Sequence, residues 1–208
     1  MIKTTYLATT AAAFGLAAAT LSPAFAQEKT DFSVAWSIYV GWMPWGYLDE
    51  SGIMDKWAEK YGISVDIVQI NDYVESINQY TAGAFDGVSA TNMDTLSIPA
   101  GGGVDTTALI IGDYSDGNDA VIAKGDTTLE DLAGTSVNLV ELSVSHYLLA
   151  RALDSVGLEE RDLDGVVNTS DADMIAAFSS NDVSTVVTWN PLVSEILSSN
   201  PDATNLFL

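Results

Sequence analysis

Cysteine is absent from the 208-residue chain, which excludes disulfides, thiolate metal centres and a cysteine nucleophile. Histidine occurs once, at position 146, too few imidazoles for an ordinary zinc site. Bases are scarce too: seven Lys and Arg stand against 29 Asp and Glu, a formal charge of −22. That field repels nucleic acid and anionic membranes and favours cationic ligands; a merely solubilising acidic surface is the plain alternative. No G-x-S-x-G, H-E-x-x-H or P-loop pattern is present. After the first 26 residues, no apolar run is long enough to cross a bilayer.

Those first residues read as a secretory signal peptide. Lys3 supplies the positive start, Leu7 to Leu21 an apolar run, and Ala24-Phe25-Ala26 a small-x-small cleavage site before Gln27. Lys3 is the only charged residue among them, so the mature chain is one unit more negative. About 180 residues remain, a size for one domain or two small ones. With 48% hydrophobic residues, the exported chain can be held by its core alone.

Aromatic rings crowd the start of that mature part. Trp36, Tyr39, Trp42, Trp45 and Tyr47 fall within twelve residues, interrupted by Gly41, Pro44 and Gly46. Glycine and proline place several of these rings on a loop after a strand over 32–38. Loops at the carboxyl ends of strands line the crevice of open α/β sheets; covering the core edge is the other use for such rings. A helix is expected over 46–61, with Trp57 in the core and Gly62 as its stop. A strand over 64–70 follows, then a helix capped by Asn71 or Asp72 with Glu75 as capping-box acid. A short strand over 87–91 leads to a helix that begins at Asn92 or Asp94 and ends at Gly101–Gly103. Further strands are expected over 106–111, 120–123, 136–140, 165–168, 184–188 and 205–208. Helices are expected over 128–134, 146–156 and 171–178, and Pro191 suits a helix first turn. Strands alternating with helices argue for βαβ units and mostly parallel sheets.

In this order the chain resembles the periplasmic substrate-binding proteins of nitrate/sulfonate/taurine-type ABC importers. The resemblance rests on the aromatic strand-loop-helix and the Tyr80-Thr81-Ala82-Gly83-Ala84-Phe85-Asp86-Gly87 turn. Leu129-Glu130-Asp131-Leu132-Ala133-Gly134 before a strand, Ser143-Val144-Ser145-His146-Tyr147-Leu148-Leu149 and Trp189-Asn190-Pro191 complete it. It covers residues 31–208 and is closest to the subgroup associated with urea carboxylase, which is thought to carry urea, guanidine or a related amide. It implies a two-lobed α/β fold of type II-like topology, with mixed, mostly parallel sheets flanked by helices. The first lobe would span 27–112 and the second 113–208. Family members are longer, so a C-terminal truncation is expected. A monomer in the periplasm, an ABC permease as partner, no cofactor and no enzymatic activity are also implied.

Carried over by position, the ligand residues are Trp36, Tyr39, Trp42, Thr91, Asn92 and Asp94 from the first lobe, and Asp113 to Asn118, Asp116 among them, at the crossing. Glu141, Ser143 and His146 come from the second lobe, with Trp189 and Asn190 as a lid. No Lys or Arg lies between Lys60 and Lys124, a departure from anion binders. Carboxylates accept paired N–H bonds and ring faces attract cations. The ligand expected is therefore a small nitrogen compound, guanidinium-like or neutral urea, with Glu141 and Asp94 as acids and Trp36 and Trp189 as stacking faces. The alternatives are an anion-binding member using helix N-termini, or an enzyme like the thiamine-pyrimidine synthases; export and the single histidine oppose the latter. Asp94 as a helix cap and Glu141 as a solvated loop acid are the structural alternatives. Replacing Glu141 (Glu141→Ala) is expected to weaken ligand binding by more than about tenfold in calorimetric titration; unchanged affinity removes it from the site.

Overall fold

The computed structural model describes residues 28–208, so the expected signal peptide lies outside the described residues. Alternating side chains of Asp31–Trp36 make β1, which pairs in parallel with β2 (Ser64–Gln69) and the two-residue β3 (Gly87–Val88). Parallel neighbours need crossovers. Here they are α1 (Pro44–Glu50) and α2 (Ile53–Tyr61) before β2, and α3 (Tyr73–Thr81) before β3. The single helix expected over 46–61 is two, because Gly52 takes a left-handed φ of 68° between them. Gly62 ends α2 in the same conformation. Asp72 caps α3 by accepting the Glu75 N–H at 2.9 Å. Thr91 caps α4 (Asn92–Thr95), which widens into a π-helical turn, Leu96–Ala100, before the glycine run.

A second sheet has the order β6-β5-β7-β4-β8. Its strands are β4 (Asp119–Lys124), β5 (Ser136–Leu139), β6 (Gly165–Asn168), β7 (Thr185–Trp189) and β8 (Ala203–Phe207). β5 runs parallel to β6 and β7, whereas β4 is antiparallel to β7 and β8. The helices are α5 (Val144–Ser155), α6 (Asp171–Ser179) and α7 (Leu192–Ser199).

Strand alternation divides the packing of this sheet between its two faces. Val121, Val137 and Val187 join Leu149 and Leu153 of α5 in one cluster. Ala120, Ile122 and Val186 join Met174, Phe178 and Ile196 in the other, and that cluster also takes in Tyr39, Tyr73 and Ile77 from beside the first sheet. The two sheets therefore share a core. That shared layer positions everything described below.

Two further expectations fail. Residues 106–111 take no regular structure and pair with no strand, and Leu109, Ile110 and Ile111 are 88%, 72% and 75% exposed. Their apolar pattern suits a ladder, but the first sheet ends among the described residues at the two-residue β3, which offers little edge. Trp57 is 45% exposed rather than core. Its ring is covered by the Lys60 ammonium, 4.4 Å from the ring centroid, and by Tyr61 stacked at 6.4 Å, a surface arrangement of cations and snorkelling stems. Among the described residues, no helix is long and apolar enough to cross a membrane.

Urea unfolding should separate the two burial states. Leu149→Ala is expected to lose about 2–5 kcal/mol, and Trp57→Ala less than about 1 kcal/mol; a reversed order refutes the packing described.

Candidate functional site: carboxylates and rings between the sheets

The carboxyl ends of β1 and β7 meet where the sheets adjoin. The Trp189 indole N–H donates to the Ile38 carbonyl at 3.0 Å. Val40 N–H donates to the Asn190 carbonyl at 3.0 Å, and Asn190 N–H to that of Asn118 at 2.8 Å. Rings fill the space between: Tyr39–Trp42 at 4.9 Å, Trp42–Tyr73 at 5.3 Å and Tyr73–Trp189 at 5.7 Å between centroids. Tilted and edge-on contacts of this kind suit the aromatic quadrupole.

Two buried carboxylates, Asp94 and Asp171, lie at this junction. Asp94 of α4 accepts from the Tyr73 hydroxyl at 2.6 Å and the Thr91 hydroxyl at 2.8 Å. Asp171, the first residue of α6, accepts the backbone N–H of Tyr73, the first residue of α3, at 3.1 Å. The Asp171 carboxylate thus closes the N-terminus of a helix that belongs to the other sheet. Burial outweighs these bonds in both cases. It pushes the Asp94 carboxyl above its ordinary range, and Asp171, with Asp72 nearby, up to about 6. The Tyr73 phenol, buried beside Asp94, is held well above its usual value.

Asp119, at the start of β4, adds a third acid, half-buried. Its Oδ2 accepts the Ser115 hydroxyl at 2.6 Å, while Oδ1 is buried with no partner. Burial raises its pKa, and Asp94 and Asp113 raise it further. Asp113 Oδ2 is likewise buried and unpartnered. It packs so closely on Gly41 that a Cβ there would fall 1.5 Å from it. The Tyr39 hydroxyl accepts from the Asn118 amide at 3.1 Å, and burial, with Asp113 and Asp119 close by, raises its pKa. Three more orphans are hydroxyls: Ser37 just past β1, Thr188 on β7 and Ser145 in the first turn of α5. Unpaired buried polar atoms are costly, so their concentration at this junction needs an occupant or a purpose.

Two clefts open beside the junction. One, of about 300 Å³, is walled by Met93, Asp94 and Ser97 on one side and by Leu142, Ser143, His146 and their neighbours on the other. The second, of about 170 Å³, lies between Asp72, Glu75 and Asn78 of the first sheet's helix and Glu141, Asn168 and Ser170. The His146 Nδ1 accepts the Leu142 N–H at 3.3 Å, so Nε2 carries the proton and donates to Glu160 at 2.9 Å. Leu142 holds a left-handed φ of 63° there.

Of the residues proposed from sequence, the structure brings Tyr39, Trp42, Asp94, Ser143, His146 and Trp189 around one junction. Trp36 is buried with its ring against Gly46. Glu141 is exposed and lines the smaller cleft. Asn92 and Asp116 are exposed, and the Asn190 amide oxygen accepts from the Ser194 N–H and hydroxyl, capping α7. Sequence reasoning did not single out Tyr73, Asp119 or Asp171 for the site. Asp171 was legible only as a helix start and Asp119 only as the residue before an apolar run. No local signal says that either crosses to another sheet.

Every Lys and Arg among the described residues is engaged elsewhere. Lys29 pairs with Asp86, Arg151 with Asp154 and Arg161 with Glu159. Lys124 donates to the Ser180 and Val183 carbonyls, and Lys56 and Lys60 lie over aromatic rings of α2. Among the described residues, no three His, Cys, Asp or Glu converge on a metal-sized point.

No protein-family model and no curated protein matches this chain. Solved structures do. The alkanesulfonate-binding protein SsuA from Xanthomonas axonopodis pv. citri, bound to MOPS, superposes with a TM-score of 0.70 at 20% identity, over 87% of this chain and 61% of its own. The periplasmic nitrate-binding protein NrtA from Synechocystis PCC 6803 gives 0.64 at 11% identity, over 86% and 51%. The arginine-bound form of truncated ArgBP from T. maritima gives 0.53 at 15%, over 85% and 81%. The likeness shows the fold, mixed α/β with parallel-rich sheets flanked by helices, as in periplasmic binding proteins. This chain spans about three fifths of the length of the sulfonate-binding structure.

The Asp171 carboxyl has a measurable signature. Its folded-state pKa is raised, so the group favours the folded state at low pH and weakens it as pH rises through about 6. Asp171→Asn, which keeps an acceptor for the Tyr73 N–H, should therefore be more stable than the parent at about pH 8, by roughly 1–3 kcal/mol. The advantage should vanish near about pH 4 in urea titrations; a difference independent of pH rejects the assignment.

Proposed function

We propose that this chain is the extracytoplasmic solute-binding component of an ABC importer. It captures a small nitrogen compound, guanidinium-like or a neutral urea or amide, between two lobes that divide near residue 112. It then delivers that compound to an inner-membrane permease. Asp113 Oδ2 and Asp119 Oδ1 carry the reading: two buried carboxylate oxygens without donors, at the sheet junction. N–H groups of a planar ligand supply the missing donors as charge-assisted bonds, and the rings of Tyr39, Trp42 and Trp189 supply apolar and cation-attracting faces. The engagement of every described Lys and Arg elsewhere leaves an oxyanion only helix N-termini. Glu141, at the rim of the smaller cleft, adds negative potential. Lobe closure around ligand is the mechanism, since contacts made to both lobes stabilise the shut form. Export through residues 1–26, a periplasmic site of action, a monomeric state and return of the ligand unchanged belong to the same reading.

A thermal-shift panel on mature protein tests it, with urea, low-millimolar guanidinium, nitrate and taurine as probes. A ligand at a hundred times its dissociation constant adds about 2.7 kcal/mol. Stabilisation by guanidinium or urea, lost by roughly tenfold or more in affinity in Asp119→Asn, is the expected result. Because the Asp119 carboxyl titrates above its ordinary range and a cation needs it ionised, affinity should be full above that raised pKa and fall on acidification through it. Stabilisation by nitrate or taurine alone overturns the choice of ligand.

A further inference from the structure

Gly41 and Gly46 interrupt the run of rings that follows β1, and neither takes a left-handed φ. Their backbone makes no demand for glycine; the space around them does. Gly46 lies inside α1, where glycine weakens a helix, and a Cβ there would stand 2.9 Å from Cζ2 of Trp36. At Gly41 a Cβ would overlap the Asp113 carboxylate and come within 3.0 Å of Cε1 of Tyr39. The carboxylate and the edge of the Tyr39 ring thus meet over one bare stretch of backbone.

That stretch is tied down by segments from beyond residue 112. The Ile38 carbonyl accepts the Trp189 indole N–H at 3.0 Å, and Val40 N–H donates to the Asn190 carbonyl at 3.0 Å. The Tyr39 hydroxyl accepts from the Asn118 amide at 3.1 Å. Asp113 Oδ2 has no such bond and is buried without a partner. Fit against Gly41, rather than a donor, sets the place of that oxygen.

We infer that Gly41 is a positioning residue: its bare backbone admits the Asp113 carboxylate to the space beside Tyr39, and a side chain at position 41 turns that carboxylate out. The obstructed atom ends a rotatable side chain, so Asp113 yields to another rotamer before the backbone moves. A methyl group at position 41 therefore leaves the fold standing and removes one carboxylate from the site. The inference rests on the proposed function for what that carboxylate holds, the N–H groups of a ligand; its placement rests on geometry alone.

The test follows the Asp119 carboxyl and Tyr39 phenol carbon resonances of labelled protein through a pH titration. Parent, Gly41→Ala, Asp113→Ala and the double variant are compared. Burial raises the Asp119 carboxyl, and Asp94 and Asp113 add to it against the Ser115 bond. Burial raises the Tyr39 phenol too, and Asp113 and Asp119 add to it against the Asn118 and Ser115 bonds. The Asp119 midpoint, which decides the matter, should fall in Gly41→Ala as far as in Asp113→Ala, with no further fall in the double variant; Tyr39 should move the same way. An Asp119 midpoint that keeps its parent value in Gly41→Ala overturns the inference, as does a further fall in the double variant. If Gly41→Ala does not fold, recovery of the fold in the double variant supports the clash with Asp113, and a double variant that also stays unfolded overturns it. Guanidinium affinity is measured alongside. A loss of about tenfold in Gly41→Ala is expected, and an unchanged affinity rejects the role in binding. If the parent binds neither guanidinium nor urea, the proposed function fails while the midpoints still decide the placement.

Discussion

The N-terminus of α3 is closed by a carboxylate, Asp171, that arrives from the opposite sheet. Tyr73 stands at the centre of this crossing. Its backbone N–H is taken by Asp171, its hydroxyl donates to Asp94, and its ring packs between Trp42 and Trp189. Removing water from two carboxylates is unfavourable, and the raised pKa values of both say that the bonds they receive do not fully offset it. What holds the acids in place is the apolar layer around them, since Tyr39, Tyr73 and Ile77 are buried in one cluster with β4, β7, α6 and α7. The polar crossing then sets orientation rather than supplying the bulk of the stability.

In the proposed function, a site built in this way selects by charge before it selects by shape. Acids line the junction, every described base is occupied elsewhere, and the N-terminus of α3 already holds a carboxylate. On that proposal, fold and selectivity point in different directions when this chain is set beside its structural neighbours. SsuA bound to MOPS and NrtA share the scaffold, but the scaffold leaves the sign of the ligand open. A few side chains at strand ends and helix starts decide it.

Much of the architecture was legible in the sequence because its signals are local. Gly62 after an amphipathic run, Asp72 with Glu75 and the alternation over 64–70 depend only on neighbours within a few residues. The expected stop of α2 at Gly62, the cap of α3 and the strand β2 stand where these signals put them. Where partners were needed, the reading faltered. The apolar run 106–111 has the pattern of a strand, but a strand exists only beside another edge. Trp57 keeps helical spacing with Ile53 and Tyr61, but spacing cannot say which stripe of a short helix meets a core.

The sequence by itself determined the absence of thiol chemistry, the scarcity of bases and the βαβ order. It also placed an aromatic loop at the first strand's carboxyl end. These follow from composition and from periodicities of two and 3.6 residues. Only the tertiary structure decided that Tyr73 and Asp171 are bonded across the sheets, and that Asp113 and Asp119 each carry one buried oxygen without a partner. Hydrogen bonds between residues far apart in the chain depend on how two packed layers face each other, and burial depends on what covers a residue. Neither quantity has a trace in the residue's own neighbourhood.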